Sequence, residues 1–203
     1  MPFWSTNFGG TTDEVLGDPK RNFRFMISIT GINTDNGGPF LWYAKQVNKP
    51  TFTVAEATHE YLNHTYYYPG KVTWNPIDIT MVDPAQDPDV AATLAGIVSG
   101  AGYKLPSTPD SNNLTSMSKQ SAAGALGTVK ISQLDADGNM LEEWTLWNGF
   151  VTEIDFGGTL AYGNDELTEY KLKIRYDWAQ LETASGGSSE ARLGEDLYFD
   201  ISR

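Results

Sequence analysis

The sequence contains no cysteine, which excludes disulfides, thiolate metal ligands and a cysteine nucleophile. Histidine is almost as scarce, with only His59 and His64. No apolar run approaches the roughly 18 residues a membrane-spanning helix needs, and Met1-Pro2-Phe3-Trp4-Ser5 lacks the basic-then-apolar order of a signal peptide. A soluble chain with no membrane insertion is expected. Positive charge is sparse: 14 Lys and Arg stand against 26 Asp and Glu, a net charge of -12. Residues 1–100 carry 10 acids and 6 bases, and residues 101–203 carry 16 and 8. Nucleic-acid affinity comes largely from basic side chains that displace counterions, so DNA meeting this surface is expected to be repelled, not bound.

What remains describes a β-rich globular chain. Its 203 residues suffice for one core with excursions. Hydrophobic residues make up 40% and aromatics 12%, with 20 glycines and 10 prolines, which suits strands and turns better than a helical bundle. Residues 1–22 read as an irregular arm. Phe23, Phe25, Ile27 and Ile29 then alternate with Arg24, Met26, Ser28 and Thr30, the period of a half-buried strand. Asn33 to Pro39 reads as a turn and Phe40 to Val47 as the returning strand.

Pro50 to Tyr68 is expected to be a long hairpin or extended loop, crowded with Tyr61, Tyr66, Tyr67 and Tyr68. Val72 and Trp74 share one parity and Ile77, Ile79 and Met81 the other, so a bulge or bend is expected at Pro76. One helix is predicted, with Asp87 as cap, Pro88 in its first turn, and Val90, Leu94, Ile97 and Val98 on one face before Gly100. Leu105 to Gly127, rich in Ser, Thr, Asn, Ala and Gly, reads as a loop or insertion. Thr128 to Leu134 and Met140 through Trp144, Leu146 and Phe150 flank Asp137-Gly138, a hairpin signal. Tyr170, Leu172, Ile174, Tyr176 and Trp178 form the cleanest alternation, whose opposite face carries Lys171, Lys173 and Arg175 and suits a subunit contact. Thr183 to Ser189 reads as a linker, and Leu197, Phe199 and Ile201 as a short strand.

Several residue groups bear chemistry in principle. Asp135 to Glu142 has the acids and glycine of a calcium loop, but strands and not helices flank it, which favours a plain turn. His59 and His64, five apart and without a third ligand nearby, favour a structural or surface role over zinc. Glu142-Glu143, Asp165-Glu166 and Glu195-Asp196 are adjacent acids of the kind expected in a chain with 26 of them, not a two-carboxylate active site. Trp4, Trp42, Trp74, Trp144, Trp147 and Trp178 suit a sandwich core better than a sugar-stacking platform, inward parity accounting for Trp74, Trp144 and Trp178. No catalytic residue, metal ligand or cofactor is expected. No nucleophile elbow, phosphate loop or dinucleotide fingerprint is present in the sequence.

One ordered set of motifs goes further. Trp144-Thr145-Leu146-Trp147-Asn148-Gly149-Phe150, Ile154-Asp155-Phe156-Gly157, Leu160-Ala161-Tyr162, Asp165 to Tyr170 and Ile174-Arg175-Tyr176-Asp177-Trp178 resemble the C-terminal half of contractile-phage tail tube proteins. Asp18 to Ile27 is similar to that family's entry into its first strand, and the helix after Met81 falls where the family has one. The resemblance spans about Asp18 to Trp178. It departs at Gly149-Phe150-Val151, where many relatives carry a proline, and in the 105–127 insertion and the tail after Leu181.

The resemblance implies a mainly β fold of two packed antiparallel sheets with one short flanking helix. It implies hexameric rings whose sheets join into one continuous barrel, and rings that stack into a tube. The division it implies is an arm at 1–22, a tube domain at 23–181 containing the 105–127 insertion, and an extension at 182–203. The implied function is the inner tail tube of a phage virion, assembled in the host cytoplasm, a non-enzymatic conduit for genome ejection. Implied partners are further copies of the chain, the tail sheath, a tape-measure protein inside, and baseplate and terminator proteins, with DNA passing unbound. A tube of a phage-derived injection device or type VI secretion system is the nearest alternative. A carbohydrate- or ligand-binding β-sandwich is the alternative of another class.

Overall fold

The computed structural model describes residues 20–31, 44–83, 90–104, 116–158, 160–163 and 167–183. Ten strands and two helices are arranged among them. The first sheet has the order β1-β6-β7-β10, from Phe25–Ile29, Val129–Leu134, Met140–Trp147 and Trp178–Thr183. The second has the order β2-β5-β9-β8, from Ala44–Val47, Ile77–Val82, Glu169–Arg175 and Phe150–Asp155. Strands β3 (Phe52–Tyr61) and β4 (His64–Trp74) pair only with each other. Every pairing is antiparallel. Neither four-stranded sheet closes into a barrel among the described residues.

Alternation builds the core. Ile27, Ile29, Val129, Ile131 and Leu146 turn inward from the first sheet and meet Ile77, Ile79, Met81, Leu172 and Ile174 from the second, all buried. Full burial of one such side chain stabilises by about 1.5–3 kcal/mol. Helix α1 (Val90–Gly100) adds Val90, Leu94 and Ile97 to the same cluster, as their spacing predicts, and Gly102 beyond its end takes the left-handed conformation at φ 106°. The predicted cap Asp87 and Pro88 lie outside the described residues, as do the 33–39 turn and the strand at 197–201.

Five expectations need correction. The single helix is two: Lys119–Leu126 inside the predicted 105–127 loop forms α2, its Ser118 side chain accepting the Ser121 amide at 3.1 Å and Gly127 closing it at φ 69°. Its weak apolar pattern, with only Ala122 and Leu126 buried, hid it. Phe23 is no strand residue but 73% exposed in the turn before β1. The bend expected at Pro76 separates β4 from β5, which lie in different sheets. The run through Phe150 is two strands, since Asn148, left-handed at φ 54°, and Gly149 carry the chain from β7 to β8 in the other sheet. The run from Tyr170 to Trp178 likewise breaks at Tyr176-Asp177, where the chain crosses back into β10. Trp178 therefore leaves the core parity and is 45% exposed.

The two crossings meet at one corner. The Asp177 amide donates to Trp147 O at 3.1 Å, and Asn148 Nδ2 donates to the Asp177 carboxylate at 3.0 Å. Lys119 of α2 donates to both Asp177 oxygens, at 2.7 and 2.6 Å. Burial pushes the Asp177 carboxyl up, but the hydrogen bonds from Lys119 and Asn148 outweigh it and hold the group below its ordinary range.

Candidate assembly interface

Ten residues in β3 and eleven in β4 make a ribbon that no other sheet covers among the described residues. At about 3.3 Å per residue it extends roughly 30 Å. Its root is fixed. Phe52 packs edge-on to Trp74 at 5.1 Å, Trp74 lies 5.9 Å from the buried Tyr176, and the Asn75 amide donates to Thr51 O at 2.8 Å. Burial pushes the Tyr176 phenol up to about 12, so it stays neutral throughout the physiological range.

Beyond the root, β3 is exposed throughout and β4 at all but Thr65 and Trp74. A hairpin standing alone is marginal in water, which makes this exposed ribbon a candidate contact surface. Its two faces differ. Pairs Ala57↔Tyr68, His59↔Tyr66 and Tyr61↔His64 form an aromatic face without an acid, whereas Glu56↔Pro69, Thr58↔Tyr67 and Glu60↔Thr65 form the other. Tyr67 is 67% exposed and Leu62, in the tip turn, 87%. Pro69-Gly70 does not end the strand; a register shift beside it accommodates it.

A buried carboxylate braces this root. Glu142 sits in a cleft of about 320 Å³ lined also by Phe25, Val47 and Trp144. It accepts hydrogen bonds from Lys20, Lys49 and Trp144 Nε1, the last two at 2.7 and 2.8 Å. Lys49 also donates to Gln133 at 2.7 Å, which ties the segment before β3 to the first sheet. Burial raises the Glu142 carboxyl, but the bonds from Lys20, Lys49 and Trp144 outweigh it and pull it down to about 2.

The edge strands are the second element. Strands β1 and β10, and β2 and β8, each have one side unpaired among the described residues, and such edges seek partners. Lys171, Lys173 and Arg175 lie on β9, which is internal to its sheet. Lys173 donates to Glu153 at 2.8 Å and lies 3.9 Å from Asp78, so it is partnered within its own sheet.

The other sequence candidates are dispersed. His59 and His64 stand exposed on the ribbon, His64 edge-on to Tyr66 at 4.7 Å. Asp135 accepts the Asp137 and Asn139 amides at 2.8 Å, the plain turn expected between β6 and β7. Glu143 faces away from Glu142 and accepts from Lys130 at 2.6 Å and Ser132 at 3.1 Å. Trp144 is partly buried against the core, while Trp147 and Trp178 stack on each other at the surface, centroids 6.4 Å apart. Asp165-Glu166, Glu195-Asp196, Trp4 and Trp42 lie outside the described residues. Among the described residues no group of three or more His, Asp or Glu side chains is placed to hold a metal ion.

The sequence matches no protein-family model and no curated protein. Solved structures do match. A chain of the six-fold symmetrised anti-feeding prophage baseplate superposes with a TM-score of 0.58 at 13% identity, covering 83% of this chain and 99% of that one. A chain of the PVC sheath/tube terminator, from an extracellular contractile injection system, gives 0.60 at 12% identity, covering 83% and 100%. A chain of the PVC sheath-tube complex gives 0.52 at 14%, covering 81% and 92%. The chain has their fold. The mainly β architecture that the tail-tube resemblance implied is present in this chain, with two helices where one was expected, and its fold is shared with chains of an extracellular contractile injection system.

Proposed function

We propose that this chain is the structural subunit of a tube: hexameric rings whose sheets join at their edges and which stack, through the β3–β4 ribbon, into a hollow conduit. The observation that carries the reading is the ribbon itself, firmly rooted yet uncovered among the described residues, on a body with the fold of contractile-assembly chains. A ribbon held rigidly at one end and bare at the other is suited to reach across to a neighbouring subunit. Joining edge strands removes the aggregation hazard that open edges pose, and a ring joined head to tail closes by rotation.

The tube domain is proposed to span 23–181, with an arm at 1–22 that reaches it through Lys20, the 105–127 segment whose α2 packs Leu126 into the core, and an extension at 182–203 whose first two residues complete β10. The chain is read as a non-enzymatic component of a particle, with sheath, tape-measure, baseplate and terminator proteins as partners. Two cargoes suit such a conduit. In a phage tail, an acidic lumen passes DNA without binding it, consistent with the net charge of -12. In an injection device it passes protein, and the named injection-system neighbours support this second reading.

The test is to replace residues 56–69 with an Asn-Gly turn and compare both chains by sedimentation and negative-stain microscopy. The full chain is expected to form rings and long hollow filaments at high concentration. The shortened chain is expected to fold and to stop at isolated rings. A full chain that stays monomeric, or a shortened one that still forms long tubes, refutes the reading.

A further inference from the structure

A cavity of about 860 Å³ opens on the outer face of the second sheet, bounded by Lys45 of β2, Glu169 and Lys171 of β9 and the loop that follows β8. Its frame is firm. Asp155 accepts the Gly157 amide at 3.2 Å, and Gly157, left-handed at φ 100°, passes Thr168 so closely that a Cβ there would stand 2.7 Å from its Cγ2. Beside it Phe156 meets Tyr170 edge-on at 6.0 Å. The side chains that line the groove are nevertheless bare: Leu160 is 84% exposed, Leu167 71%, and Tyr162 fully so. Large apolar side chains gathered on a fixed frame mark a contact surface. Lys171 adds a charge to it, for Lys45 is paired with Glu169 whereas Lys171 has no ion pair among the described residues. A fitting occupant is an apolar strand with one acid on the same face.

The chain itself contains one. Residues 184–203 follow β10 and lie outside the described residues. In them Leu197, Phe199 and Ile201 alternate and Glu195 shares their parity, so in extended form three apolar side chains and one carboxylate lie on one face. The tether is long enough. Thr183 stands opposite Glu142 in the β7–β10 ladder, Glu142 is bonded by Lys49, and Lys49 is four residues from Lys45. Those links keep Lys45 within roughly 35 Å of Thr183. The stretch from Thr183 to Leu197 reaches about 45 Å when extended.

We infer that residues 195–201 dock in extended form in this groove of their own chain, apolar face inward and Glu195 beside Lys171. The inference goes beyond the tube reading and does not depend on it. A short flexible tether holds the segment at an effective concentration on the order of millimolar, so in dilute solution the groove of the same chain is filled before that of a second copy. The arm before Lys20 is the other segment of this chain that could compete. It carries Phe3, Trp4 and Phe8 but no comparable alternation, so it offers no continuous apolar face. Docking covers a patch that would otherwise promote non-specific association.

The absence of cysteine makes a clean test possible. Ala161→Cys, at an exposed position on the groove wall, is combined with Phe199→Cys, and disulfide formation with diamide as oxidant is followed in dilute solution on non-reducing gels. A within-chain disulfide, running as a monomer of altered mobility, is expected. Adding Leu197→Ser and Ile201→Ser is expected to slow its formation by about tenfold, since the tether is unchanged and only the apolar face is lost. Lys171→Glu is expected to slow it several-fold, and Lys171→Glu together with Glu195→Lys to restore it. Disulfide-linked dimers in place of monomers, or rates that the serine and charge variants leave unchanged, overturn the inference. Faster closure with Trp4→Cys in place of Phe199→Cys overturns it too. Should circular dichroism show the cysteine pair misfolded, hydrogen exchange of the natural chain and of the serine variant replaces it. Residues 157–171 are then expected to exchange several-fold faster in the variant, and equal rates overturn the inference.

Discussion

Replacing Glu142 with glutamine removes the charge that gathers Lys20, Lys49 and Trp144, while nearly preserving shape. The carboxyl is held at about 2 in the folded chain against an ordinary 4.5, a difference equivalent to about 3 kcal/mol. The Glu142 side chain is only 10% exposed, but those of Lys20 and Lys49 are 50% and 49% exposed, so water competes for their share. About 1–2 kcal/mol is the expected net contribution. A depressed carboxyl stabilises the fold fully above its unfolded value, near 4.5, and loses that contribution as pH falls towards 2. Glu142→Gln is therefore expected to lower stability by about 1–2 kcal/mol at about pH 7 and by almost nothing at about pH 2. Urea unfolding followed by tryptophan fluorescence at a series of pH values reads the difference between the two chains, so that other carboxylates cancel. A gap between natural chain and variant that is constant from neutral to acid pH would refute the reasoning.

Three further outcomes follow from the geometry. Trp74→Ala removes the ring between Phe52 and Tyr176 and is expected to cost about 2–3 kcal/mol, with hydrogen exchange rising at the ribbon root before the β5–β9 ladder. Gly31→Ala places a methyl 2.0 Å from Ala125 O, so β1 must part from α2; a loss of at least about 2 kcal/mol in thermal or urea unfolding is expected. Leu62 holds a left-handed conformation at φ 53° while 87% exposed, so Leu62→Gly is expected to leave monomer stability equal or raised by about 0.5–1 kcal/mol, yet weaken filament formation in turbidity assays.

Much of this architecture is legible in the sequence because burial imposes a period. Ile27, Ile29, Ile77, Ile79, Met81, Leu172 and Ile174 alternate and are all inside, and Val90, Leu94 and Ile97 recur at helical spacing and are all inside too. Helix α2 escapes because Lys119–Leu126 has little apolar surface to place, leaving the Ser118 cap as its one local signal. The break at Tyr176-Asp177 escapes for the opposite reason: alternation continues unbroken through it, and what turns the chain is a tertiary bond from the Asp177 amide to Trp147 O. The Asn148-Gly149 pair, of a type that favours turns, lies inside an apolar run that reads as one strand, which conceals the break there. Glu142 was legible only as one acid among 26, since its importance comes from Lys20 and Lys49, which are remote in sequence. The ribbon was legible in outline as a long hairpin, but not its lack of cover, because that depends on which neighbours the rest of the chain leaves over.

The corner where β7 passes into β8 and β9 into β10 has a mechanical consequence. Two covalent crossings lie side by side there, laced by Asn148, Asp177 and Lys119, whereas at the cleft between β2 and the first sheet the link is a set of side-chain bonds centred on Glu142. Such a body is anisotropic under load. Tension that drives the sheets apart meets two adjacent backbone crossings at one corner, whereas among the described residues the Glu142 side is held by ion pairs and hydrogen bonds and is expected to open more readily. In a stacked column each subunit would then bend about its stitched corner, and the column's stiffness would be set by how firmly neighbours clamp the open seam.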